Sequence, residues 1–124
     1  MLAKLHQRER PDSPTPTNCI QTGMTPIFGL LGVPSSAGAH YPGQEKTPAA
    51  LRGAGLQARL EQAGLSMVEY GDLPLVRCRV DSTSNRAESI ADVQAVVRRL
   101  ADCVEKIVSA EQIPLVIGGD CTIT

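Results

Sequence analysis

The residues best suited to chemistry stand closest together in Gly118-Gly119-Asp120-Cys121-Thr122. This string follows the apolar run Ile113-Pro114-Leu115-Val116-Ile117. Two glycines at such a position let the backbone approach a ligand or metal closely, while Asp120 and Cys121 supply a carboxylate and a thiol. Two other glycine strings invite a nucleotide-binding reading and fail it. Gly38 and Gly43 have the spacing of a P-loop and Lys46-Thr47 lies nearby, but Gln44 stands where the phosphate-binding lysine must be and Glu45 would repel phosphate. Gly53-Ala54-Gly55 begins a dinucleotide-type string, yet its third glycine position is Ala58 and it falls inside a helical segment rather than after a strand. His40 lies in a loop and His6 in the amino-terminal tail, so no histidine pair at helical spacing exists to build a zinc-hydrolase site, and a solvated loop histidine is the simpler reading of His40. Asp72 follows Gly71 at a strand end, where an aspartate commonly ties down a loop through its carboxylate.

The elements that must position these groups follow from apolar periodicity and turn chemistry. Pro26-Ile27-Phe28-Gly29-Leu30-Leu31-Gly32-Val33 is almost continuously apolar and ends in Pro34-Ser35-Ser36-Ala37-Gly38, the pattern of a strand buried on both faces and followed by a loop. Thr47 before Pro48 predicts a helix capped by Thr47 with proline in its first turn. Gly53 and Gly55 predict a break before the apolar stripe resumes at Leu56, Leu60 and Ala63, and Gly64 is the stop. Ser66 to Tyr70 reads as a second strand bounded by Gly71-Asp72. After the polar loop Ser82–Asn85, Asn85 with Glu88 resembles a capping box. Ile90, Val93, Val97, Leu100, Val104 and Ile107 then recur at spacings of three and four, which predicts an amphipathic helix ending near Ala110. Ile113 to Ile117 is the third strand. Strand, helix, strand, helix, strand makes a βαβαβ unit, hence the α/β class with a parallel sheet and helices on both faces. Ligands of such sheets gather at the carboxyl ends of the strands, so Ser36, His40, Asp72 and Asp120 are the candidate residues of a ligand edge.

Composition bounds the rest. Twelve basic against 13 acidic residues give a net charge of -1 with no long-range field, which disfavours nucleic acid and anionic membranes as partners. No apolar run approaches the roughly 20 residues that span a bilayer, and no secretory stretch opens the chain, so a cytoplasmic location is expected. Cys19, Cys78, Cys103 and Cys121 match neither a zinc-ligand nor a Cys-x-x-Cys spacing and are expected to be reduced thiols. With Phe28, Tyr41 and Tyr70 the only aromatics, the core must be aliphatic. Residues 1–25, polar and rich in proline, are expected to form a disordered tail ahead of an α/β domain at 26–124.

Four segments in order, Leu31-Gly32-Val33-Pro34, Thr47-Pro48-Ala49-Ala50-Leu51-Arg52, Tyr70-Gly71-Asp72-Leu73-Pro74 and Gly118-Gly119-Asp120, resemble the ureohydrolase family of arginase, agmatinase and formimidoylglutamase. The resemblance runs across residues 26–124. It implies a three-layer α/β/α domain, of which this chain holds the first βαβαβ portion, and hydrolysis of a non-peptide C–N bond in a linear guanidino or amidine compound by a hydroxide held between two manganese ions. Cys121 occupies the position where the family usually has its first histidine metal ligand, and thiolate suits manganese less well than imidazole. The sequence reaches Thr124 before any counterpart of the family's Asp-x-His-x-Asp and Asp-x-Asp segments. These departures imply that the 124 residues alone hold no manganese, contribute no catalytic group and are inactive. A noncatalytic ligand-binding or assembly module is the alternative reading. Self-association is expected through the apolar strand Leu115-Val116-Ile117, which has no following strand in this sequence to cover it.

Overall fold

The computed structural model describes residues 25–79 and 86–123. The expected tail, and the capping box at Asn85 and Glu88, fall outside the residues whose side chains it describes. Three strands form a parallel sheet in the order β2-β1-β3, with β1 at Ile27–Val33, β2 at Ser66–Asp72 and β3 at Ile113–Gly118. Between β1 and β2 come α1, Thr47–Gly53, and α2, Leu56–Gln62. The connection from β2 to β3 carries α3, Arg86–Ser109. The first connection moves to one side of β1 and the second returns past it to the other. Crossovers of the same hand therefore place α1 and α2 on one face of the sheet and α3 on the opposite face.

Contacts along β1 show this division. Its alternate residues Leu31 and Val33 pack with Val96, Leu100 and Ile107 of α3, all buried, and Leu73, Val76, Val104 and Val116 close the cluster. Gly29 shares that face, where a Cβ would lie 2.6 Å from Ile107, so the helix sits directly on the strand backbone. Gly32 faces the other way, toward Arg52 of α1. The core is aliphatic as composition required, with Tyr41 75% exposed on the surface.

The helix break is where the glycines predicted it. Gly55 takes a left-handed φ of 78° between α1 and α2, and Gly64, φ 91°, ends the pair. Two boundaries differ from expectation. Thr47 is the first residue of α1 rather than its cap, because a 3-10 turn at Gln44–Lys46 runs straight into the helix and makes Lys46 the capping position. The second strand continues through Gly71 to Asp72 instead of stopping at Tyr70. Its pairing with β1 slips by one residue, from Leu30↔Glu69 to Leu31↔Gly71, and Gly71 absorbs this bulge with a φ of 79°.

Candidate functional site

Because all three strands are parallel, their carboxyl ends lie along one edge, and the loops beyond β1 and β3 meet there. Ser35 is the junction. It bridges to Val76 in the segment after β2, and its carbonyl accepts the Asp120 N–H at 3.0 Å. Gly119 is required at this crossing, since a Cβ would come within 1.8 Å of the Ser35 carbonyl oxygen. Gly119 therefore serves close approach between two segments of this chain's own backbone, while a Cβ at Gly118 would meet the Ile123 side chain.

Asp120, 6% exposed, fastens the same loops with its side chain. One carboxylate oxygen accepts the Gly38 N–H at 3.1 Å. The other accepts the Thr122 N–H at 2.9 Å and a very short bond from the Thr122 hydroxyl. Cys121 begins the 3-10 turn Cys121–Ile123 and is exposed. Among the described residues no disulfide joins Cys78, Cys103 and Cys121.

Ser36 is at this edge but fully buried. Its hydroxyl accepts the Cys78 N–H at 3.0 Å and bonds to Glu45. Glu45 itself is buried, accepts the Gly43 N–H at 2.7 Å and lies 3.5 Å from Arg77. The Gly43 N–H, then its own backbone N–H, and to a lesser degree Ser36 and Arg77, hold its carboxyl below the ordinary glutamate range against the opposing effect of burial. Sequence reasoning weighed Glu45 only as a group hostile to phosphate. The signal for its actual place was its position two residues after Gly43, within reach of that N–H.

His40 is exposed and lines an open cavity of about 590 Å³ with Gly38, Ile90, Val93 and Thr122. Asp72 is not brought to this group. It sits on the α1 face, 2.5 Å from the Arg52 guanidinium, which also reaches Glu69 at 2.6 Å and the Gly71 carbonyl at 3.2 Å. Burial raises the Glu69 pKa, but the Arg52 and Gly71 hydrogen bonds outweigh it and the net shift is downward. Glu69 and Asp72, three apart on a strand, would ordinarily face opposite ways. The bulge between them turns both toward Arg52, and no local pattern announces this. Thus Asp120 joins the loops after β1 and β3, Ser36 ties the first of them to the segment after β2, and Asp72 belongs to a separate ion cluster. Among the described residues no three His, Cys, Asp or Glu side chains converge in a way that could hold a metal ion, and no helix is long and apolar enough to cross a membrane.

Comparison with known proteins places this architecture. The model of the Arginase family matches residues 27–124. The chain is 32% identical over 100 residues to the arginase of Brevibacillus brevis, covering 81% of this chain and 34% of that protein. It is 34% identical over 93 residues to Arginase-1 of Homo sapiens, covering 75% and 29% of the two. Among solved structures, the native arginase of Bacillus caldovelox superposes with a TM-score of 0.65 at 29% identity, covering 81% of this chain and 34% of that one. The chain thus spans about a third of the length of the relatives it matches.

Proposed function

Because the chain belongs to the arginase family, we propose that residues 26–124 are the amino-terminal part of a cytoplasmic hydrolase acting on the C–N bond of a linear guanidino or amidine compound, preceded by an appended tail at 1–25. The observation that carries this reading is the Gly118-Gly119-Asp120 turn, which draws the end of β3 against the loop after β1 at the ligand edge of the sheet. In that setting Asp120 is a positioning residue: it fixes the backbone on which Cys121 is carried.

The family's chemistry is supplied by paired manganese ions, which generate a hydroxide and polarise the carbon it attacks. The donors present do not fit such a pair. Both oxygens of Asp120 are engaged by Gly38 and Thr122, and Cys121 offers a soft thiol where manganese favours imidazole and carboxylate. We therefore assign the 124 residues a scaffolding part in the reaction and no turnover by themselves.

Manganese content after dialysis and hydrolysis of arginine, agmatine and formimidoylglutamate test this. The 124-residue chain and its Cys121→His variant should both be metal-free and inactive. When each is fused to the downstream part of the Bacillus caldovelox arginase, the Cys121→His fusion should hold more manganese and turn over faster than the unaltered one. Stoichiometric manganese or turnover in the 124-residue chain, or inertness of both folded fusions, would contradict the reading.

A further inference from the structure

Glu45 is a buried carboxylate that the proposed reaction leaves unused. The residue is 4% exposed, and taking a carboxylate out of water costs several kcal/mol unless hydrogen bonds replace the solvent. The ion pair with Arg77 is a poor substitute, because it is 3.5 Å long and the Arg77 side chain is 64% exposed. The stronger partners are donors with fixed directions: the Gly43 N–H at 2.7 Å, the N–H of Glu45 itself and the Ser36 hydroxyl. They surround a group that, when ionised, can only accept.

That restriction passes to Ser36, which is fully buried. A hydroxyl has one hydrogen, and giving it to Glu45 leaves lone pairs for the Cys78 N–H, which Ser36 binds at 3.0 Å. The Ser36 N–H donates to the Val76 carbonyl at 2.9 Å, and the Val76 N–H donates to the Pro34 carbonyl at 3.0 Å. The loop after β1 is thereby fixed against the segment after β2 on both sides of Ser35. The Ser35 carbonyl accepts the Asp120 N–H at 3.0 Å, and Gly119 crosses it with no room for a Cβ. Contact that close has no slack, so the turn at Asp120 and Cys121 follows the Ser35 backbone.

We propose that Glu45, acting through Ser36, is a positioning residue for the turn at Asp120 and Cys121. The inference rests on the reading of this edge as part of an arginase-type site. Glutamine would not serve at position 45: with one oxygen and one NH2 it must turn a donor toward either the Gly43 N–H or the Ser36 hydroxyl. An aliphatic residue would leave both of those groups without their acceptor. The bonds that link Glu45 to the turn run through Ser36, Ser35 and Asp120, with Val76 and Cys78 holding the first two in place. Groups that orient a metal ligand from behind change metal affinity on the order of 10–100-fold when removed. Glu45 stands in that relation to position 121.

Amide hydrogen exchange of the 124-residue chain, resolved by NMR, tests this without metal or turnover. Glu45→Gln should speed exchange of the Cys78 and Asp120 N–H groups about tenfold more than that of Leu100, a core residue within α3 that reports global unfolding. In a Ser36→Ala background the same change should add nothing at Asp120, since the hydroxyl that transmits it is gone. Glu45→Asp keeps the charge but shortens its reach, and should give the same pattern in milder form if the glutamine variant fails to fold. Equal acceleration at Leu100 and Asp120 would make Glu45 a purely structural residue and overturn the proposal, as would full additivity with Ser36→Ala. In the Cys121→His fusion to the downstream part of the Bacillus caldovelox arginase, Glu45→Gln should weaken manganese binding about tenfold. Unaltered binding would also overturn the proposal. A parent fusion that holds no manganese would instead sink the arginase-type reading, and the exchange pattern would then decide the role of Glu45 alone.

Discussion

Asp120 uses both carboxylate oxygens inside the chain, to Gly38, 82 positions away, and to Thr122. Replacing it with alanine removes the carboxylate partner of the part-buried Gly38 and Thr122 hydrogen bonds, which costs about 1–3 kcal/mol. Urea unfolding should show Asp120→Ala destabilised by that amount, with Asp120→Asn intermediate; an unchanged midpoint would mean the loops are held elsewhere. Glu45 has a pH signature. Its folded-state pKa is lowered from an ordinary value of 4.5, so its contribution is complete above that value and is lost as pH falls through the lowered one. The stability gap between the native chain and Glu45→Gln should therefore be constant near neutrality and close in acid, as thermal midpoints between about pH 7 and pH 3 would reveal. A gap that persists to the acid end would remove Glu45 from this role. Asp120 was legible in the sequence as a polar residue behind two glycines. Its partners were not, because a carboxylate that bonds across 82 positions leaves no trace in the residues around it.

At the scale of elements, what could be read locally was read well. The break between α1 and α2 and the course of α3 are set by glycine conformation and apolar spacing, both properties of neighbouring residues. The end of β2 is set by its pairing with β1, and the start of α1 by the 3-10 turn that precedes it; neither could be inferred from Ser66–Tyr70 or Thr47-Pro48 alone. Gly71 concentrates the consequence. With a φ of 79° it is left-handed, and Gly71→Ala should cost about 1–2 kcal/mol for that conformation alone. If the bulge is what turns Glu69 and Asp72 to the same side, Gly71→Ala should also uncouple Arg52. Arg52→Ala, worth about 1 kcal/mol at this half-exposed site, would then add little to the glycine change. Full additivity in a double-mutant cycle would separate the ion cluster from the bulge.

At the scale of the molecule, the alternation of strands and helices was enough to predict a parallel α/β sheet, but not the order β2-β1-β3, which depends on which side each crossover takes. Among the described residues that order places β1 between β2 and β3. During synthesis β1 leaves the ribosome before either neighbour exists, and its two sides are closed at different times: by β2 once Ser66 has emerged, and by β3 only after Ile113. Leu30, Leu31 and Val33, buried in the fold, are thus exposed to chaperones and proteases until β3 has emerged. Nascent chains arrested with β2 but not β3 outside the exit tunnel should be cut readily near β1, and protection should arrive in one step when Gly118 clears it. Protection already complete at the shorter length would mean that β1 and β2 fold as a unit without waiting for β3.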